Sequence, residues 1–151
     1  MDFSHSDEEL VKQPIGYWSW AASDAVVTFI RASLADVGLS QPQWWTLNQV
    51  GQSPTGRTRD EITAVLQGYL GVGDKLQPDI DDLLERRLLA PDTADRLQLT
   101  EAGTALLTQA AEIQDANRAT IHDGVTDAEF LTTVKVLQRM IHNTGGKAWR
   151  H

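Results

Sequence analysis

A mainly α chain with a small β wing, a winged helix-turn-helix set between N- and C-terminal helices, is the fold class that three features of this sequence predict. The stretch from Val65 to Thr100, VLQGYLGVGDKLQPDIDDLLERRLLAPDTADRLQLT, reads as helix, tight turn, helix, then a short polar excursion returning into a second apolar strand. Apolar residues recur at helical spacing through most of the sequence on either side of it. At 151 residues the chain can bury a real core as one domain, or share a core with a second copy.

Residues 1–13 are polar and acidic and read as a loose arm, with Asp7, Glu8 and Glu9 solvated. Pro14 suits the first turn of a helix carrying Tyr17, Ala21, Ala25, Phe29 and Ser33 beside Trp18, Ala22, Val26, Ile30 and Leu34. A stripe this broad and this rich in alanine predicts a helix sandwiched between others, ended by Gly38 in the left-handed region. Ser40 caps the next helix, with Pro42 in its first turn and Trp44, Trp45, Leu47 and Val50 as its apolar positions up to Gly51. GQSPTG at 51–56 is a loop signal.

Thr58 and Glu61 have capping-box spacing, opening a helix whose buried face is Ile62, Val65, Leu66, Tyr69 and Leu70. Gly71-Val72-Gly73 supplies a tight turn. Leu76, Ile80, Leu83 and Leu84 form the inner face of the helix after it, which leaves Lys75, Asp79, Asp82 and Arg86 on the outer side. Proline costs about 3 kcal/mol inside a helix, so the regular part begins at or just before Pro78. Leu88-Leu89-Ala90 and Leu97-Gln98-Leu99 pair as a hairpin turning at Pro91-Asp92-Thr93-Ala94. Thr100 caps a long helix through Leu106, Leu107, Ala110, Ile113 and Ile121 that Gly124 breaks. Thr126 and Glu129 make another capping box, and Phe130, Val134, Leu137 and Ile141 follow at helical spacing to Asn143.

Composition narrows the function. A net charge of -8 argues against coating nucleic acid, so any DNA contact rests on a local basic patch. No cysteine is present, and no apolar run approaches the roughly 20 residues that span a bilayer. The expectation is a cytoplasmic protein with no membrane contact, no metal, no cofactor and no catalytic residue. His5, His122, His142 and His151 lie scattered without ligand spacing, and His122-Asp123 reads as a helix-end pair. Asp79, Asp81 and Asp82 lack the spacing of a calcium loop, and Gly71-Val72-Gly73 lacks the Lys-Thr ending of a phosphate loop.

The element order, the segment Leu39-Ser40-Gln41-Pro42-Gln43-Trp44-Trp45-Thr46-Leu47, the run from Ile80 to Leu89, and above all Leu99-Thr100-Glu101-Ala102-Gly103 resemble the MarR family of bacterial transcription regulators, from Pro14 to Asn143. The resemblance implies one domain over 1–151, with dimerisation helices at 14–37 and 101–143 and a DNA-binding lobe at 39–100. It further implies a homodimer reading a pseudo-palindromic operator in double-stranded DNA, released by a small molecule. The dimer has separate support, because Phe130, Leu131, Val134, Leu137, Met140 and Ile141 present more apolar surface than one thin domain covers. Phe130, Val134, Leu137 and Ile141 are its candidate interface.

On this reading Lys75 and Gln77 face base edges, while Arg57, Arg59, Arg86, Arg87 and Arg96 face phosphates. The chain departs from the family pattern at the same place. Residues 70–89 hold three bases against five carboxylates, a balance of -2. The wing is short, with Arg96 its single base, Leu88 stands where glycine is common, and Pro91 where arginine is common. Tyr17, Trp18, Trp20, Trp44 and Trp45 are candidates to line a pocket for an apolar or aromatic effector, or else fill a core or dimer seam. Two functions stay open: a sequence-specific DNA-binding regulator, or the same fold with weak or lost DNA binding serving as a ligand sensor or protein-interaction module.

Overall fold

The computed structural model describes residues 2–69 and 75–148. Among the described residues the elements follow in the order α1 (Asp7–Leu10), α2 (Ile15–Ala35), α3 (Gln41–Gly51), α4 (Arg59–Leu66), α5 (Gln77–Glu85), β1 (Leu89–Pro91), β2 (Leu97–Leu99), α6 (Glu101–Ile121) and α7 (Asp127–Asn143). The expected fold class is observed, a mainly α chain with a β wing. Leu70, the Gly71-Val72-Gly73 turn, Asp74 and His151 lie outside the described residues.

Local chemistry sets the helix ends. Ser40, Thr58 and Thr126 each accept a hydrogen bond from the amide three residues on, and Gln43, Glu61 and Glu129 answer back to the cap. Gly38 takes φ +71°, and the amides of Gly38 and Leu39 return to the carbonyls of Ala35 and Leu34, which closes α2. Pro78 occupies the second position of α5, where its missing N–H costs nothing.

The core lies within the central lobe. Leu47 and Val50 of α3, Ile62 and Leu66 of α4, Ile80 and Leu83 of α5, and Leu89 and Leu97 of the hairpin meet there with Leu39 and Leu76. Leu34 of α2 and Ala110 of α6 join it from the flanking helices. Asn117 of α6, a buried polar residue, donates to Ser33 Oγ of α2 at 2.7 Å, which satisfies its amide nitrogen.

Three expectations are corrected. The N-terminal arm carries the short helix α1, where the Ser6 amide donates to the Glu9 carboxylate at 3.1 Å. Pro91 ends β1 opposite Leu97 rather than opening the turn; the turn is built by Asp92, whose carboxylate accepts from the amides of Ala94 and Arg96. Beside these, Arg87 takes the left-handed conformation after α5 at φ 58°, and Leu88, which stands where glycine is common in the resembled family, is a buried core residue. Finally, α2 is not sandwiched: Ile15, Tyr17 and Trp20 are about half exposed or more, and among its residues only Leu34 is buried. α7 buries no residue at all.

Candidate nucleic-acid interface

In a winged helix-turn-helix the second helix of the motif and the wing meet nucleic acid, which here means α5, the start of α4 and the hairpin. Two of α5's carboxylates, Asp79 and Asp82, are half-buried against the start of α3. Asp79 accepts from Ser40 Oγ at 2.6 Å and Asp82 from Gln43 Nε2 at 2.7 Å, so both fasten α5 to the N-terminus of α3, where the helix dipole favours anions. Of the expected outer set, Lys75 and Arg86 are exposed while Asp79 and Asp82 are half-buried with partners on α3, and Pro78, Asp81 and Glu85 are exposed as well.

The candidate bases fare differently from one another. Lys75 is exposed just before α5, and the Arg87 side chain is exposed just after it. Arg57 donates through Nε to the Gln49 carbonyl at 2.9 Å, while its backbone bridges Leu97 as a third, one-residue edge of the wing. Arg59 pairs with Asp81 at 2.6 Å and donates to Gln77 Oε1 at 3.0 Å, and Gln77 in turn donates to Thr63 Oγ1 at 3.1 Å. Arg86 donates to the Gly38 carbonyl at 2.9 Å and to Asp82 at 3.1 Å.

Arg96 is the most tightly held. Its guanidinium spans Glu61 at 2.9 Å and the backbone carbonyls of Thr55 and Gly56 at 2.9 and 2.8 Å, which ties the wing to α4. Of the seven residues expected at DNA, Lys75 and Arg87 are thus exposed, and the other five side chains are bonded within the lobe. Local spacing could not show Arg59–Asp81 or Arg96–Glu61, whose partners stand far apart in the chain, whereas Arg86–Asp82 is an i,i+4 pair on one helix.

One pair carries a pH signature. The Thr58 amide, followed by the Arg96 guanidinium, holds the Glu61 carboxyl below its ordinary value of 4.5. A depressed carboxyl stabilises the fold above its unfolded pKa and loses that contribution as pH falls through its folded pKa. Wild type is therefore expected to lose thermal midpoint below about pH 4.5, and Glu61→Gln to lose less over that window, by thermal melts across pH. Parallel slopes for the two chains would sink the assignment.

No family model matches the sequence. Among solved structures, the fold is similar to a MarR family transcriptional regulator from Silicibacter pomeroyi, with TM-score 0.70, 18% identity, and coverage of 93% of this chain and 99% of that one. It is similar to a MarR family protein of Mycobacterium tuberculosis in complex with DNA, with TM-score 0.65, 20% identity, and coverage of 85% and 98%. This chain has the MarR-family winged-helix fold. A third similar structure is CouR from Rhodococcus jostii RHA1 bound to p-coumaroyl-CoA, with TM-score 0.67, 20% identity, and coverage of 85% and 92%.

Within this MarR fold the five pocket aromatics divide into two groups. Tyr17 packs against Trp18 and Trp20 near the start of α2, with ring centroids 5.3 and 6.2 Å apart. Trp45 instead packs on Tyr69 at 5.4 Å, and Trp44 lies half-buried against the lobe core. Trp20 and Leu34, the α2 residue that enters the core, are separated by roughly 20 Å of helix at 1.5 Å per residue. Among the described residues, the ring contacts join Tyr17, Trp18 and Trp20 in one group and Trp45 with Tyr69 in another. Trp18, with Phe3 and Leu10, lines an open apolar hollow under the N-terminal arm.

His122 is the C-cap of α6, and its ring packs on Phe130 at 4.7 Å, beside Arg118 over the same ring. Among the described residues no group of His, Asp or Glu could hold a metal ion, and no helix is long and apolar enough to cross a membrane.

Proposed function

We propose that this chain is a cytoplasmic, homodimeric transcriptional regulator that binds a pseudo-palindromic operator in double-stranded DNA. The lobe at 39–100 reads DNA on this proposal, and the helices at 14–37 and 101–143 pair two chains. The reading is carried by the exposure of Lys75 and Arg87 at the two ends of α5, on a fold shared with a protein solved in complex with DNA. The uncovered apolar residues of α2 and α7 support the pairing.

Mobility shifts against the DNA upstream of its own gene, repeated at several salt concentrations, test the proposal. Lys75→Ala is expected to weaken the specific complex by about 1–3 kcal/mol, the range of one base-reading side chain. Unchanged affinity would remove Lys75 from the reading surface.

A second reading has its own support. The lobe at 39–100 holds six Lys and Arg against nine Asp and Glu, a balance of -3, and three of its arginines are already paired with carboxylates. Such a lobe suits weak or lost DNA binding, with the chain acting as a ligand sensor or protein-interaction module. Absence of any salt-sensitive specific complex favours this reading. In either case an apolar or aromatic effector is proposed among Tyr17, Trp18, Trp20, Trp44 and Trp45, in a site lined by one of their two groups or by both across the proposed dimer. Tryptophan fluorescence titrated with phenolic acids checks it, and a flat response across varied ligands counts against it.

A further inference from the structure

Three carboxylates of the lobe face three of its arginines, but the pairs are not built alike. Arg96 and Arg86 are each anchored to a backbone carbonyl as well as to a carboxylate, so freeing either one loosens the wing or the Gly38 turn. Arg59 is held by side chains alone, Asp81 on one nitrogen and Gln77 on another. Its pair is also the most open, with side-chain exposures of 37% for Arg59 and 65% for Asp81.

Arg59 is the first residue of α4, whose N-terminal amides already favour an anion, and Asp81 stands on the outer side of α5. A phosphate approaching this corner meets a guanidinium whose charge a neighbouring carboxylate already balances. For Arg59 to bind phosphate, Asp81 must give it up and remain beside the DNA as an unpaired negative charge. The same exchange frees Gln77 Oε1, which Arg59 otherwise occupies.

We infer that Asp81 sets the DNA affinity of this lobe by holding Arg59 in a charge lock that DNA has to displace. The inference rests on the DNA-binding reading. It assigns Asp81 the role of a residue that weakens binding to duplex of any sequence, leaving discrimination to the base-reading side chains.

The test uses the full-length chain and a random-sequence duplex, with binding measured by fluorescence anisotropy across a salt series. Asp81→Ala is expected to bind about tenfold tighter than wild type, with a log-log salt slope steeper by about one, the increment for one added phosphate contact. In an Arg59→Gln background the gain is expected to vanish. Glu85→Ala, which removes an exposed carboxylate of the same helix, separates the lock from general charge. Thermal melts confirm that each variant is folded.

Equal gains from Asp81→Ala and Glu85→Ala, or a gain that persists with Arg59→Gln, overturn the lock. So does a wild-type chain that binds the duplex while Asp81→Ala binds no better. If neither chain forms a salt-sensitive complex, the DNA-binding reading falls and takes the lock with it.

Discussion

Gly103→Ala is expected to lower the thermal midpoint by about 6–12 °C, the equivalent of about 3 kcal/mol in a chain of this size. The usual expectation has the opposite sign, since alanine in place of a helical glycine gains about 1 kcal/mol of propensity. Space decides here. A Cβ on Gly103 would stand 1.9 Å from the Leu88 carbonyl oxygen, far inside van der Waals contact. That oxygen is not free to retreat, because it accepts from the Thr100 amide at 3.1 Å, and Thr100 caps α6 by accepting from the Gly103 amide at 3.0 Å. The Leu99-Thr100-Glu101-Ala102-Gly103 segment is therefore a packing joint. Thr100 ties the start of α6 to the chain leading into β1, and glycine lets the helix close against it. Gly51→Ala is the internal control: its Cβ meets Leu107 Cδ2 at 2.6 Å, the movable end of a side chain, and is expected to cost much less. Equal losses for the two variants, by calorimetry or circular dichroism, would count against the joint.

What the sequence disclosed was whatever acts over one helical turn. The caps at Ser40, Thr58 and Thr126, the stop at Gly38 and the start of α5 near Pro78 all follow from residues within a few positions of each other. α1 carries a similar local signal in Ser6 and Glu9, but no apolar face drew attention to it. The candidate interface was legible as a list of bases, not as a geometry. Arg59 meets Asp81 and Arg96 meets Glu61 only after the lobe has folded, and net charge cannot tell a carboxylate facing solvent from one fastening a helix, as Asp79 and Asp82 do. Arg87 escaped for a related reason. It adopts the left-handed conformation at a cost of roughly 1–2 kcal/mol, because its amide and that of Leu88 return to Leu84 and Leu83 while Leu88 enters the core.

Leu137→Asp and Ile141→Asp are each expected to shift the chain from dimer to monomer at micromolar concentration, read by sedimentation equilibrium. In the single chain α7 has no buried residue: Phe130, Leu131, Val136, Met140 and Ile141 are 37–52% exposed. Apolar residues left that open support the proposed pairing, and the N-terminal half of α2, with Tyr17 and Trp20 exposed, adds to the same apolar surface. On the proposed pairing a second copy would supply the matching surface without any new sequence, because a two-fold interface sets the same patches against each other. Burying one Leu or Ile side chain stabilises by about 1.5–3 kcal/mol, and a carboxylate in its place adds a desolvation cost of similar size or more. Each substitution occurs twice per dimer, so a loss of about 4 kcal/mol or more, at least roughly a thousandfold in dimer affinity, is the expected scale. An Asp on a helix face that stays in water would change stability by only about 0.5 kcal/mol, which sets the alternative outcome apart. A wild-type chain that is monomeric at these concentrations would remove the second lobe, and a pseudo-palindromic operator with it, since a two-fold site needs two lobes held in fixed register.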